Sequence, residues 1–171
     1  DYLTNVILPT DVTTIEKDAF MNCKSLAKIE IPASVSNLLP SSGCTALRDI
    51  EVSEANSNYS SDNGVLLNAQ QTNILWFPMG KQGEYSLPNT ITSIGNYAFK
   101  ECSIETFILP DNMNEIGQGA FMDSKVKEVK LPANLKRIPT STFQGCKQLK
   151  VVRIGSKTEA ISDYAFDLCP L

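Results

Sequence analysis

The chain is 171 residues long, carries 15 basic against 19 acidic side chains for a formal charge of −4, and is 42% hydrophobic. That acidic balance argues against nucleic acid, whose binders carry a basic footprint, and no apolar run approaches the ~20 residues that a membrane span needs. Histidine is absent, which makes a Ser-His or Cys-His nucleophile impossible within the chain and removes the commonest metal ligand.

Taken in chain order, the residues repeat. The first turn runs Leu3, Val6, Leu8, Pro9, Val12, Ile15, Ala19, Phe20, Cys23, and the second Leu26, Ile29, Ile31, Pro32, Val35, Leu38, Cys44. The second is two residues short between Leu38 and Cys44, with Ser42-Gly43 in place of Ala-Phe. The third begins Leu47, Ile50, Val52 and is interrupted. The beat resumes at Tyr85, Leu87, Pro88, Ile91, Ile94, Gly95, Ala98, Phe99, Cys102, and the fifth turn runs Ile104, Phe107, Leu109, Pro110, Met113, Ile116, Gly117, Ala120, Phe121, Ser124. The sixth runs Val126 to Cys146, and the seventh Leu149 to Cys169. The apolar residues at the proline step (Leu8, Ile31, Val52, Leu87, Leu109, Leu131, Ile154) are 23, 21, 35, 22, 22 and 23 residues apart. A period of this size predicts a solenoid, in which each turn buries its face against the next.

Within one turn, Phe107 and Leu109 share one face of a strand while Ile108 points the other way. Pro110 has no N–H for a ladder and ends that strand. Met113 and Ile116 return the chain along the far side, Gly117 permits a sharp bend, and Ala120-Phe121 reads as a short 3₁₀-like segment. Stacked turns put their strands side by side in a parallel sheet, with Phe20, Phe99, Phe121, Phe143 and Phe166 in one column.

Residues 53–84 break the beat. Val65-Leu66-Leu67 and Ile74-Leu75-Trp76-Phe77 are β-prone runs separated by polar residues, which predicts a hairpin inserted into the third turn, with Asn63-Gly64 as a turn in front of its first strand. Its aromatics Tyr59, Trp76 and Phe77 allow two readings. Trp76 is an exposed anchor for a partner, or the ring residues pack the hairpin onto the flank where the second turn lacks its Ala-Phe pair.

The unit LxxIxLPxxVxxIGxxAFxxCxxL, seen here as Ile104 to Val126 and its neighbours, resembles the bacterial leucine-rich repeat family called BspA-like, or Treponema-type. The insertion resembles it too: NxxYxSxxGVL appears as Asn56, Tyr59, Gly64-Val65-Leu66, followed by Phe77-Pro78-Met79-Gly80. The resemblance implies a leucine-rich repeat solenoid: a right-handed, horseshoe-like β/α superhelix with a parallel sheet on its concave face and short 3₁₀ or irregular segments on the convex side. It would form one domain over residues 1–171, of about seven turns of 21–23 residues, with a β-hairpin insertion at about 53–84. It implies a secreted or surface-anchored bacterial protein engaged in adhesion to host matrix or bacterial-surface proteins or glycans, with no shared catalytic residues. The departures are the shortened second turn, Ser124 in a cysteine column and Gly155 where proline is expected.

Cys23, Cys44, Cys102, Cys146 and Cys169 all fall at one repeat position. No clustered ligand spacing such as C-x2-C exists, so neither a metal site nor a cofactor is expected. Side chains in a column point in parallel, and the five are expected as free thiols.

Outward positions of the concave sheet are the candidate partner-binding residues. Glu30, Asp49 and Glu51 gather in early turns; Thr106, Ile108, Glu128, Lys130 and Arg153 lie late, with Lys127 and Lys150 nearby. The strip reads either as an ordinary solvated face or as a polarised recognition surface, acidic early and basic late, with Ile108 near its middle. Asp62 and Glu84 form an acidic pair of the kind glycosidases use, but nothing in the sequence fixes their separation. The expected function is a non-enzymatic binding or adhesion module; the alternative is an architectural spacer. Asp1 and Leu171 both fall in mid-repeat, the latter as the first core position of a further turn. The chain therefore reads as a piece of a longer array, open to end-to-end self-association.

Overall fold

A computed structural model describes residues 2–83 and 85–170; Glu84 and the expected core position Leu171 lie outside the described residues. The chain winds as a β-solenoid whose turns bond to one another through three parallel ladders. The first carries the outward positions singled out above. It joins β2 (Lys28–Ile31) to β4 (Asp49–Val52), and β9 (Thr106–Ile108) to β11 (Glu128–Lys130) to β13 (Val151–Arg153). Alternation explains it: Ile29 and Ile31 are buried and Glu30 exposed, as Phe107 is buried between Thr106 and Ile108. The carbonyls of Pro32, Pro88, Pro110 and Pro132 then accept the N–H three residues on, so each proline opens a turn as it leaves the strand row.

The second ladder runs along the return side. It pairs β1 (Thr14–Ile15) with β3 (Asn37–Leu38), β7 (Asn73–Trp76) with β8 (Ser93–Ile94) and β10 (Glu115–Ile116), and β12 (Arg137–Ile138) with β14 (Ala160–Ile161).

The third ladder lies at the phenylalanine corner and corrects the 3₁₀ expectation. No helix forms among the described residues. Instead the residues two before and two after Phe20, Phe99, Phe121, Phe143 and Phe166 have positive φ: Asp18 and Asn22, Tyr97 and Glu101, Gly119 and Asp123, Ser141 and Gly145, Tyr164 and Leu168. This alternation aims successive N–H groups along the stack. Tyr97, Phe99 and Glu101 donate to the carbonyls of Gln118, Ala120 and Met122, and Gly119, Phe121 and Asp123 repeat the pattern one turn on. Left-handed backbone costs a residue with a Cβ about 1–2 kcal/mol; the inter-turn bonds offset that cost. Gly117 is a second correction. Its φ is not positive, so no bend demands glycine. A Cβ there would stand 2.5 Å from the Gly95 carbonyl carbon and 2.7 Å from Asn96 Cα in the turn below, so close approach of the turns is the reason.

The insertion is deeper and larger than a hairpin on the flank. β5 (Tyr59–Asp62), β6 (Val65–Asn68) and β7 form an antiparallel meander whose last strand joins the return-side ladder. Asn63-Gly64 is the two-residue turn between β5 and β6, both with positive φ, rather than a lead-in to a first strand. β6 is buried on both faces: Val65 and Leu67 join the core of the later turns, Leu66 the core of the earlier ones. The hydrophobic interior is thus in two parts, with β6 and β7 between them.

The aromatic column is rewritten accordingly. Phe77 stacks on Phe99 with ring centroids 5.0 Å apart, and the stack continues through Phe121 (5.2 Å), Phe143 (5.3 Å) and Phe166 (5.4 Å). Phe20 belongs to the other core, and buried Ser41 accepts its backbone N–H at 3.1 Å. The five cysteines are thiols in register. Cys44, Cys146 and Cys169 donate Sγ–H to the Phe20, Phe121 and Phe143 carbonyls at 3.1, 3.0 and 3.1 Å. Ser124 fills its layer by bonding Cys146 Sγ at 3.4 Å.

Candidate binding surface

The first ladder holds its outward side chains in cross-strand rows. Glu30 lies directly beside Glu51, and Ile108, Lys130 and Arg153 form one row across β9, β11 and β13. Two like charges opposite each other repel, and Lys28 resolves the conflict: its Nζ lies 2.9 Å from Glu30 and 2.8 Å from Glu51. Glu51 first, and then Glu30, push the Lys28 ammonium above its ordinary range. In the late half Arg153 pairs with Glu128, and Lys127 with Glu105 at 2.7 Å. Lys130 reaches Asp111 only at 3.8 Å, and Ile108 stands 72% exposed beside it.

The eight strip candidates therefore fall into two groups, Glu30, Asp49 and Glu51 on β2–β4, and Thr106, Ile108, Glu128, Lys130 and Arg153 on β9–β11–β13. The sheet between them is broken, because residues 85–87 form no strand and the insertion covers the edge of β4. There Ile50 N–H bonds the Gly64 carbonyl at 2.9 Å, and Val52 N–H bonds Ser61 Oγ at 3.2 Å. At the break lies an open depression of about 840 Å³ lined by Tyr85, Ser86, Leu87, Thr106 and Ile108, among others. The Tyr85 hydroxyl donates to Asp62 at 3.2 Å, and burial, with the Asp62 charge, pushes it above its ordinary range. The other acid once paired with Asp62, Glu84, lies outside the described residues.

Trp76 is not an exposed anchor. It is 2% exposed and packed in the earlier core. What the residue pattern did not reveal is that Trp76 also floors a cleft of about 420 Å³ on the phenylalanine flank, walled by Leu39, Pro40, Ser41, Tyr97 and Met122. Its only signal in the sequence is spacing. Leu38 and Cys44 are closer than Ile15 and Cys23 by two residues, and Ile74 and Phe77 closer than Ile94 and Phe99 by two.

The model of the BspA type leucine-rich repeat region matches residues 1–74 and 76–171, in six copies. The chain belongs to that family. No curated protein sequence matches it. Among solved structures it is similar to a leucine-rich cell surface protein of Faecalibacterium prausnitzii, at 29% identity and a TM-score of 0.80 over 93% of this chain and 43% of that one. It is also similar to the pneumococcal vaccine antigen PcpA, at 26% identity and a TM-score of 0.81 over 94% of this chain and 41% of that one. A leucine-rich repeat protein of T. pallidum, 24% identical with a TM-score of 0.50 over 91% of this chain and 72% of that one, shares the fold. The chain spans less than half the length of the first two. No helix among the described residues is long and apolar enough to cross a membrane.

Proposed function

We propose that this chain is a non-catalytic protein-binding or adhesion module of a secreted or surface-exposed bacterial protein. Its ligand is a host-matrix or bacterial-surface protein or glycan, held across two cross-strand rows, Glu30–Glu51 and Ile108–Lys130–Arg153. One observation carries the reading: Ile108 is 72% exposed beside an open depression, with like-charged pairs arranged on either side of it, acidic on β2–β4 and basic on β11–β13. Solenoids offer extended faces of this kind for recognition. Membership of the BspA-type family and the printed names of its similar structures, a cell surface protein and a vaccine antigen, support the surface setting.

The test is a pull-down from host-matrix and bacterial-surface extracts at low and high salt, with wild type, Glu30→Lys/Glu51→Lys and Lys130→Glu/Arg153→Glu. A recognition strip loses its captured partner in at least one reversed variant and shows a changed salt dependence. Identical capture by all three assigns the face to a spacer. That second reading draws on the ion pairs that already neutralise Glu51 and Arg153 within the chain.

A further inference from the structure

We infer that the cleft floored by Trp76 is a second recognition site, on a different face from the charged row, which takes an acidic peptide segment of a partner protein through one inserted aromatic side chain. The cleft exists because two successive turns are short at the same corner. Turn two lacks the phenylalanine step, and turn three reaches Phe77 two residues early, so the flank has a notch between Pro40–Ser42 and Asn96–Lys100. Phe77 N–H keeps the corner's backbone ladder to Ala98 at 2.7 Å on the far side, but the ladder does not continue from turn two. Gly43, which would continue the row of N–H donors, gives its N–H to the Glu101 carboxylate at 3.0 Å.

The lining specifies the occupant. Leu39, Pro40, Tyr97 and Met122 make apolar walls that suit a flat aromatic, over a floor where only the edges of the nearly covered Trp76 and Met79 are reached. A volume of about 420 Å³ admits such a side chain with part of its backbone. The charged residues that line it are both cations, Lys17 and Lys100. Each reaches across the notch: Lys17 Nζ lies 5.4 Å from the Tyr97 ring centroid, and Lys100 Nζ bonds Ser42 Oγ at 2.9 Å. Asp18 accepts the Ser42 N–H at 2.9 Å, and Glu101 accepts the Gly43 N–H and also pairs with Lys100 at 3.6 Å, so Lys17 is the lining cation with no ion pair among the described residues. The Lys17 ammonium, with the part-neutralised Lys100 on the facing wall, complements an aromatic residue flanked by Asp or Glu.

Trp76 is the one tryptophan of the chain, so occupancy of the cleft is read from its fluorescence. The probes are the end-blocked tripeptides Asp-Phe-Glu, Lys-Phe-Lys and Asp-Ser-Glu, titrated through the millimolar range at low and high salt. The expected result is a saturable shift in Trp76 emission with Asp-Phe-Glu alone, weakened by salt. Lys17→Glu weakens it about three- to tenfold, Leu39→Ser weakens it too, and Lys150→Glu, far from the cleft, leaves it unchanged. Lys17 and Leu39 are surface residues, and unchanged melting curves confirm that the variants fold. A response that does not saturate, is equal for the three peptides, or survives Lys17→Glu and Leu39→Ser intact overturns the inference.

Discussion

Three of the thiols in the stack, Cys44, Cys146 and Cys169, donate a hydrogen bond to a phenylalanine carbonyl one turn away, and the burial of the stack has a pH signature. Burial pushes Cys44 to about 11, Cys102 to about 12 and Cys146 to about 11, from an ordinary value of 9.0. The folded protein therefore keeps these protons to higher pH than the unfolded chain does. Their contribution to stability is complete below about pH 9 and is lost as pH rises towards 11–12, because there the unfolded state binds fewer protons. Urea unfolding should show stability falling between about pH 9 and pH 11, with a shallower fall in Cys102→Ala. A flat profile through that window would mean that the thiols are not buried as neutral donors. Burial of the Tyr85 hydroxyl acts in the same direction.

Among the elements, the inserted meander departs furthest from the repeat, and one side chain fastens it. Asn56, 8% exposed, donates to the Pro32 and Val35 carbonyls at 2.8 and 3.0 Å and accepts from Asn58 and Tyr59 N–H at 2.8 and 3.0 Å. The Tyr59 hydroxyl in turn accepts Leu38 N–H at 3.0 Å, which ties β5 to the second turn. Replacing Asn56 by Ala leaves several of these groups without partners and should cost about 3 kcal/mol in chemical denaturation; a loss under about 0.5 kcal/mol would show that water satisfies them instead. Much of this architecture was legible in the residues. The alternation Ile29-Glu30-Ile31 and its equivalents placed the first ladder, and NxxYxSxxGVL marked the insertion. Its depth was not legible, because Val65-Leu66-Leu67 reads the same on a flank as between two cores. The corner conformation was half hidden. Gly119 and Gly145 signal positive φ, but Tyr97, Glu101, Tyr164 and Leu168 adopt it with no such mark. Phe77 escaped the column because it follows Ile74 by three residues rather than five, and Trp76 was ambiguous between anchor and core for want of any burial signal.

For the whole molecule, stability is a chain of nearest-neighbour contacts between turns, and the insertion decides how that chain is joined. The meander divides the interior, with Leu66, Trp76 and Met79 on the early side and Val65, Leu67, Ile74 and Phe77 on the late side. Phe77 thereby heads a stack of five rings that ends at Phe166, while Phe20 stands apart. The same arrangement breaks the strand row between Glu51 and Ile108 and opens the Trp76 cleft on the flank. Both candidate recognition surfaces thus descend from one event, the return of the interrupted third turn to register at Phe77. A double-mutant cycle tests that register most directly, with Phe77→Leu and Phe99→Leu measured singly and together by chemical denaturation. Ring stacking predicts a coupling of about 1 kcal/mol between Phe77 and Phe99 and none between Phe77 and Phe20; coupling to Phe20 with independence from Phe99 would contradict the account.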